Sequence, residues 1–114
     1  MDFIFEKNMR IISDLLVYCY NRGARHCQVD VDWNAGVSTC EIRAALDHCS
    51  EAQLGDLREL LDTPRQHEIE QSFWGLSGDV DIDPELALIG MMVDRADVTF
   101  AGGWLTIRVE RAEA

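Results

Sequence analysis

Basic residues are scarce in this chain. Ten lysines and arginines stand against 21 aspartates and glutamates, a formal charge of −11 over 114 residues. So acidic a surface repels phosphate and argues against nucleic acid and anionic membrane as partners. Long apolar runs are also missing. The opening MDFIFEKNMR is acidic at position 2, and no stretch approaches the ~18 apolar residues of a membrane span, so neither a signal peptide nor a transmembrane segment is expected. No C-x-x-C pair occurs among Cys19, Cys27, Cys40 and Cys49, which excludes the usual zinc-ribbon and dithiol motifs. Cys27 and Cys40 fall in strand patterns and Cys19 on a helical apolar stripe, which predicts buried free thiols instead. Free thiols without an export signal point to the cytoplasm. Internal repeats and low-complexity linkers are absent too, so residues 1–114 read as a single domain, large enough for one core.

What the chain does have is apolar periodicity, with 47% hydrophobic residues and three tryptophans. Ile12, Leu15, Leu16 and Cys19 mark one face of a helix over 7–22, and Gly23 is placed to close it in a left-handed conformation. Residues 25–33 alternate, with Cys27, Val29, Val31 and Trp33 on one side and His26, Gln28, Asp30 and Asp32 on the other. Asn34-Ala35-Gly36 is a turn signal, and 37–46 is the returning strand of a hairpin, with Cys40, Ile42, Ala44 and Leu46 on one face. Ser50 and Gln53 form a capping box opening a helix over 51–62. Thr63-Pro64-Arg65-Gln66 repeats the start signal for a further helix carrying Ile69 and Phe73. Asp83 and Pro84 open a helix over 84–95, with Leu86, Ile89, Met92 and Ala96 as its buried stripe. Strands follow at 97–101 and 104–110, joined at Gly102-Gly103. The C-terminal Arg111-Ala-Glu-Ala114 reads as a frayed tail. The pattern predicts a two-layer α/β sandwich: a mixed sheet of four or more strands, with helices on one face.

The helix–strand stretch IISDLLVYCYNRGARHCQVDVDW and the helix–strand–strand stretch DPELALIGMMVDRADVTFAGGWLTIRVER together resemble the two ends of a GHKL-type ATP-binding domain. That superfamily includes histidine-kinase catalytic domains and anti-sigma-factor kinases. The resemblance implies an acidic residue on the first helix, here Asp14, and one turn later an asparagine for magnesium, where this chain has Tyr18. Asn21 lies three residues later, about 300° further round the helix at ~100° per residue. The adenine-reading aspartate falls on Ala44, with Asp47 displaced by three. At the last box the family brings backbone N–H groups to phosphate. Pro84 lacks an N–H there, and Glu85 adds a negative charge. Tyr18 is expected to wall off the space for magnesium and phosphate, with Glu85 repelling what remains.

Other chemistry is weakly signalled. His67 and Glu70 are spaced for one helix face but are too few for a metal site. His48 and Cys49 are adjacent and do not face each other on a helix. The segment Arg65–Gly78 stands where the resemblance places a mobile lid. It combines Arg65, Glu68, Phe73 and Trp74, residue types that anchor protein interfaces. These four are the expected contact surface for another protein or for a second copy of the chain.

The expectation is a small cytoplasmic regulatory protein on a histidine-kinase-like ATPase scaffold, without catalytic residues, cofactor or ATP chemistry. Two alternatives stand beside it. One is an ATP-binding, anti-sigma-type serine kinase with diverged motifs, holding ATP and Mg²⁺ near Asp14, Asn21 and Asp47. The other is an unrelated small α/β ligand-binding domain.

Overall fold

The computed structural model describes residues 3–62 and 85–113, with backbone only over 85–88. Helix α1 (Phe3–Asn21) is followed by strands β1 (Cys27–Asn34) and β2 (Val37–Ala45) and helix α2 (Glu51–Leu61). Helix α3 (Glu85–Met92) then leads into β3 (Arg95–Ala101) and β4 (Trp104–Ala112). The strands form one sheet in the order β1-β2-β4-β3. All three pairings are antiparallel, where the sequence had suggested a mixed sheet. The protein is therefore a mixed α/β fold built on a four-stranded antiparallel sheet.

Local chemistry sets the element ends. At the end of α1, the Ala24 N–H donates to Cys19 O (3.0 Å) and the Gly23 N–H to Tyr20 O (3.0 Å), while Gly23 takes φ 96°. These are the two bonds of a Schellman cap, which needs a residue free of Cβ strain at that position. At the start of α2 the expected capping box is present. The Gln53 N–H donates to Ser50 Oγ (3.1 Å), and the Ser50 N–H donates to Gln53 Oε1 (2.9 Å). Both hairpins close over two residues, Ala35-Gly36 and Gly102-Gly103, all four at positive φ. The right-handed twist of the flanking strands favours such turns.

The register puts one apolar row across the sheet. Val29 pairs with Ile42, Ile42 with Ile107, and Ile107 with Val98. Buried side chains of this row share one core with Ile11, Ile12, Leu15 and Cys19 of α1, Leu54, Leu57 and Leu61 of α2, and Ile89 and Met92 of α3. Arg58 ties α2 to β3, its Nε and Nη2 donating to Val98 O at 3.0 and 2.8 Å. Gly90 lets α3 approach the end of α2 closely, because a Cβ there would stand 2.7 Å from Leu60 O.

Two expectations need correction. Ala96 is not on the α3 stripe: it lies in β3 opposite Val109. The helix stops at Met92, and the Asp94 N–H is already bonded to Glu110 O (2.8 Å), so the sheet captures the backbone before another turn forms. Val29 and Trp33 share the core face but stay 40% and 49% exposed, because β1 is an edge strand of the described sheet. The C-terminus is not frayed through residue 113. Arg111 is 1% exposed, and its Nη1 donates to Met92 O at 2.6 Å. Its Nε and Nη2 reach Glu113 Oε2 and Oε1 at 3.2 and 3.3 Å. Asn8, wholly buried, donates through Nδ2 to Ile4 O (2.8 Å), Ser38 Oγ (3.1 Å) and Glu113 Oε2 (3.2 Å). The Cys40 thiol donates to Asn8 Oδ1 (3.3 Å). Buried polar groups need such partners, and here they satisfy one another.

Candidate functional site

The residues suggested by the resemblance converge only in part. Asp14 and Tyr18 are one turn apart on α1, at the border of its buried stripe. The Asp14 carboxylate is 11% exposed, with Arg10 Nε 3.5 Å from its Oδ2. That oxygen makes no hydrogen bond among the described residues. Burial pushes the Asp14 carboxyl up, opposed by the nearby positive charge of Arg10. A carboxylate oxygen buried without a hydrogen bond is electrostatically costly.

Tyr18 packs half-buried against the core. The Arg22 guanidinium carbon lies 5.0 Å from its ring centroid, a cation–π distance. Burial pushes the phenol up, and Arg22 opposes the rise. The thiols of Cys49 and Cys19 are near enough to add to it. Tyr18 is thus a half-buried aromatic, packed on the core and capped by the Arg22 guanidinium.

Asn21, Ala44 and Asp47 stand in different surroundings. Asn21 is exposed on the last residue of α1. Ala44 is completely buried on the core face of β2, so its side chain faces the hydrophobic interior. Asp47 is exposed between β2 and α2, and its Oδ1 accepts a hydrogen bond from Arg25 Nη2 at 2.7 Å. Glu85 begins α3, and its side chain lies outside the described residues. Arg65, Glu68, Phe73 and Trp74 lie outside them as well.

Nothing in the described part favours thiol or metal chemistry. The four cysteines are free. Burial pushes the Cys19 thiol up to about 12 and the Cys40 thiol up to about 11, so neither is a ready thiolate. Among the described residues no group of three or more His, Cys, Asp or Glu is placed to hold a metal ion. None of the described helices is long and apolar enough to cross a membrane.

Two surface features escaped the sequence reading. On the sheet face opposite the core row, the Arg43 guanidinium sits 4.9 Å from the Trp104 ring centroid. His26 meets the same ring edge-on at 6.0 Å, and Arg43 Nη1 donates to Gln28 Oε1 (3.1 Å). The second feature is β1 itself. Trp33 on its core side stands 6.1 Å from Phe5 of α1, both rings exposed, while Asp30 and Asp32 project on its other side. The alternation of apolar and acidic residues was visible in the sequence, but the edge position of the strand was not. Compared with protein-family models and with curated proteins, the chain matches none.

Proposed function

We propose that this protein is a small regulatory protein that acts by binding another protein, on a histidine-kinase-like ATPase scaffold that has lost its nucleotide chemistry. The observation that carries the reading is the state of Tyr18. Where the resemblance calls for a magnesium-holding amide, a phenol ring is packed on the core and covered by Arg22. The other acidic group that could approach a nucleotide, Asp47, is engaged by Arg25. In a family whose chemistry resides in its bound nucleotide, loss of that site removes the activity. Four free cysteines favour a reducing compartment, in keeping with the cytoplasm.

A second reading, a diverged ATP-binding serine kinase, draws on Asp14. Its Oδ2 lacks a hydrogen bond among the described residues and occupies the acidic position of the first box. Thermal unfolding with and without ATP and Mg²⁺ separates the two readings. A ligand present at about 100 times its Kd stabilises a fold by roughly 2.7 kcal/mol. The proposal expects no shift with ATP, ADP or GTP at millimolar concentration. A clear shift would promote the kinase reading.

A further inference from the structure

We infer that the outer edge of β1 receives an extended segment of a partner protein in which apolar residues alternate with lysine or arginine. The inference rests on the proposed role as a protein-binding regulator and gives that role a place and a chemistry.

The backbone comes first. The Ala45 N–H donates to His26 O at 2.9 Å, and Asn34 and Val37 close the two-residue turn. In an antiparallel ladder, residues bonded inward alternate with residues whose N–H and C=O point outward. Even-numbered positions of β1 therefore bond to β2. Cys27, Val29, Val31 and Trp33 present their backbone groups to the outer edge. No strand pairs there among the described residues. Residues 27–34 contain no proline and pair one-to-one with β2 throughout, so nothing in the strand interrupts the edge. Such an edge is a template for strand addition.

The two faces of β1 specify what can be added. On the core side, Val29 and Trp33 are 40% and 49% exposed, and Phe5 extends the same apolar surface. A pocket of about 160 Å³ opens beside it, lined by Ile4, Trp33, Gly36, Ser38 and Glu113 among others. On the other side stand Asp30 and Asp32. Asp30 lies directly opposite Glu41 on β2, a like-charge pairing that destabilises a sheet. Neither aspartate has an ion-pair partner among the described residues, and Arg108 already serves Glu41 and Glu110. An added strand with apolar side chains toward Trp33 and basic ones toward Asp30 and Asp32 would complete both faces.

The same charges argue against a second copy. Self-pairing of β1 about a two-fold axis at Val31 sets Asp30 against Asp32 of the other copy, twice over. The aspartates thus guard the edge against self-association while leaving it open to a basic strand.

Fluorescence anisotropy with two labelled peptides as long as β1 tests the inference. One alternates valine with lysine, the other valine with glutamate. At about 50 mM salt, where exposed charges still interact over more than 10 Å, the lysine peptide is expected to bind at least about tenfold tighter. It should also slow amide exchange at Cys27, Val29, Val31 and Trp33. The double variant Asp30→Lys with Asp32→Lys, whose changes are at exposed positions, should reverse the preference. Val31→Pro removes one outward N–H without touching a ladder bond and should weaken binding. Equal affinity for both peptides, no binding by either, protection elsewhere, or a β1-paired homodimer in sedimentation would each overturn the inference. The nucleotide melts report separately. Silent melts with no peptide binding remove the edge and leave the loss of nucleotide chemistry standing. Peptide binding together with an ATP shift does the reverse.

Discussion

Gly90 and Leu60 are in backbone contact across the α2–α3 junction. A Cβ built on Gly90 would lie 2.7 Å from the Leu60 carbonyl oxygen and 3.1 Å from Leu61 Cα. The obstruction is backbone, which cannot swing aside as a side chain does. Gly90→Ala should therefore cost about 1–3 kcal/mol through overpacking, despite alanine's better helix propensity. Urea unfolding of the variant checks this. Unchanged stability would mean that the helices separate freely.

A buried charge pair makes stability depend on acid. Burial pushes the Glu113 carboxyl up, but hydrogen bonds from Arg111, Ser38 and Asn8, with the Arg111 charge, outweigh it and hold the group below its ordinary 4.5. The folded state thus binds this proton less tightly than the unfolded chain. Its contribution is complete above about 4.5 and is lost as pH falls through the lower folded value. Glu113→Gln should lower stability at neutral pH and flatten the decline below pH ~4.5, as read from urea midpoints across pH. Arg111→Met, which leaves the carboxylate buried without its cation, should cost about 3–5 kcal/mol at neutral pH. Asp14 has the opposite sign. Its carboxyl is raised by burial, so its ionisation costs stability above the folded value, and Asp14→Asn should stabilise the protein at neutral pH.

The two hairpins offer a matched pair of tests. Ala35 has φ 54° and Gly102 has φ 59°, each the first residue of a two-residue turn. A Cβ on Gly102 would meet no atom within 4 Å, so only backbone strain distinguishes the two turns. A left-handed conformation costs a Cβ-bearing residue roughly 1–2 kcal/mol, and asparagine bears it better than alanine. Ala35→Asn should raise the unfolding free energy by about 0.5–1 kcal/mol, and Gly102→Ala should lower it by about 1 kcal/mol. Matching signs for both changes in a melt would contradict this account.

Much of the fold was legible because its signals are local. Ser50 with Gln53, Gly23 after α1, and the two turns each act within a few residues. The strand alternation named the core row correctly. Ala96 was misread because helical spacing continues past the point where the sheet takes the Asp94 N–H. Arg111 was misread because its partners, Met92, Glu113 and, through Glu113, Asn8, are scattered along the chain. The candidate site was legible as residue types and not as geometry. Asp14 and Tyr18 follow from helix period, but the engagement of Asp47 by Arg25 depends on how β1 enters the sheet. Which strand becomes an edge is likewise a property of the whole topology, so the exposure of Val29 and Trp33 could not be read from their alternation.

The contact between Asn8 and Glu113 joins residues 105 positions apart in the chain. A chain emerging from the ribosome makes position 8 long before position 113, and until then the Asn8 amide lacks this carboxylate partner. β2 is likewise made before β4, its partner in the middle of the sheet. The structure therefore closes late. Helix α1 and the first hairpin can form during synthesis, but their burial waits for the final strand. A nascent chain arrested a few residues short would expose the apolar sides of α1 and β2 together. The early segments α1 and β2 thus depend on the later β4 for the shelter of their apolar sides.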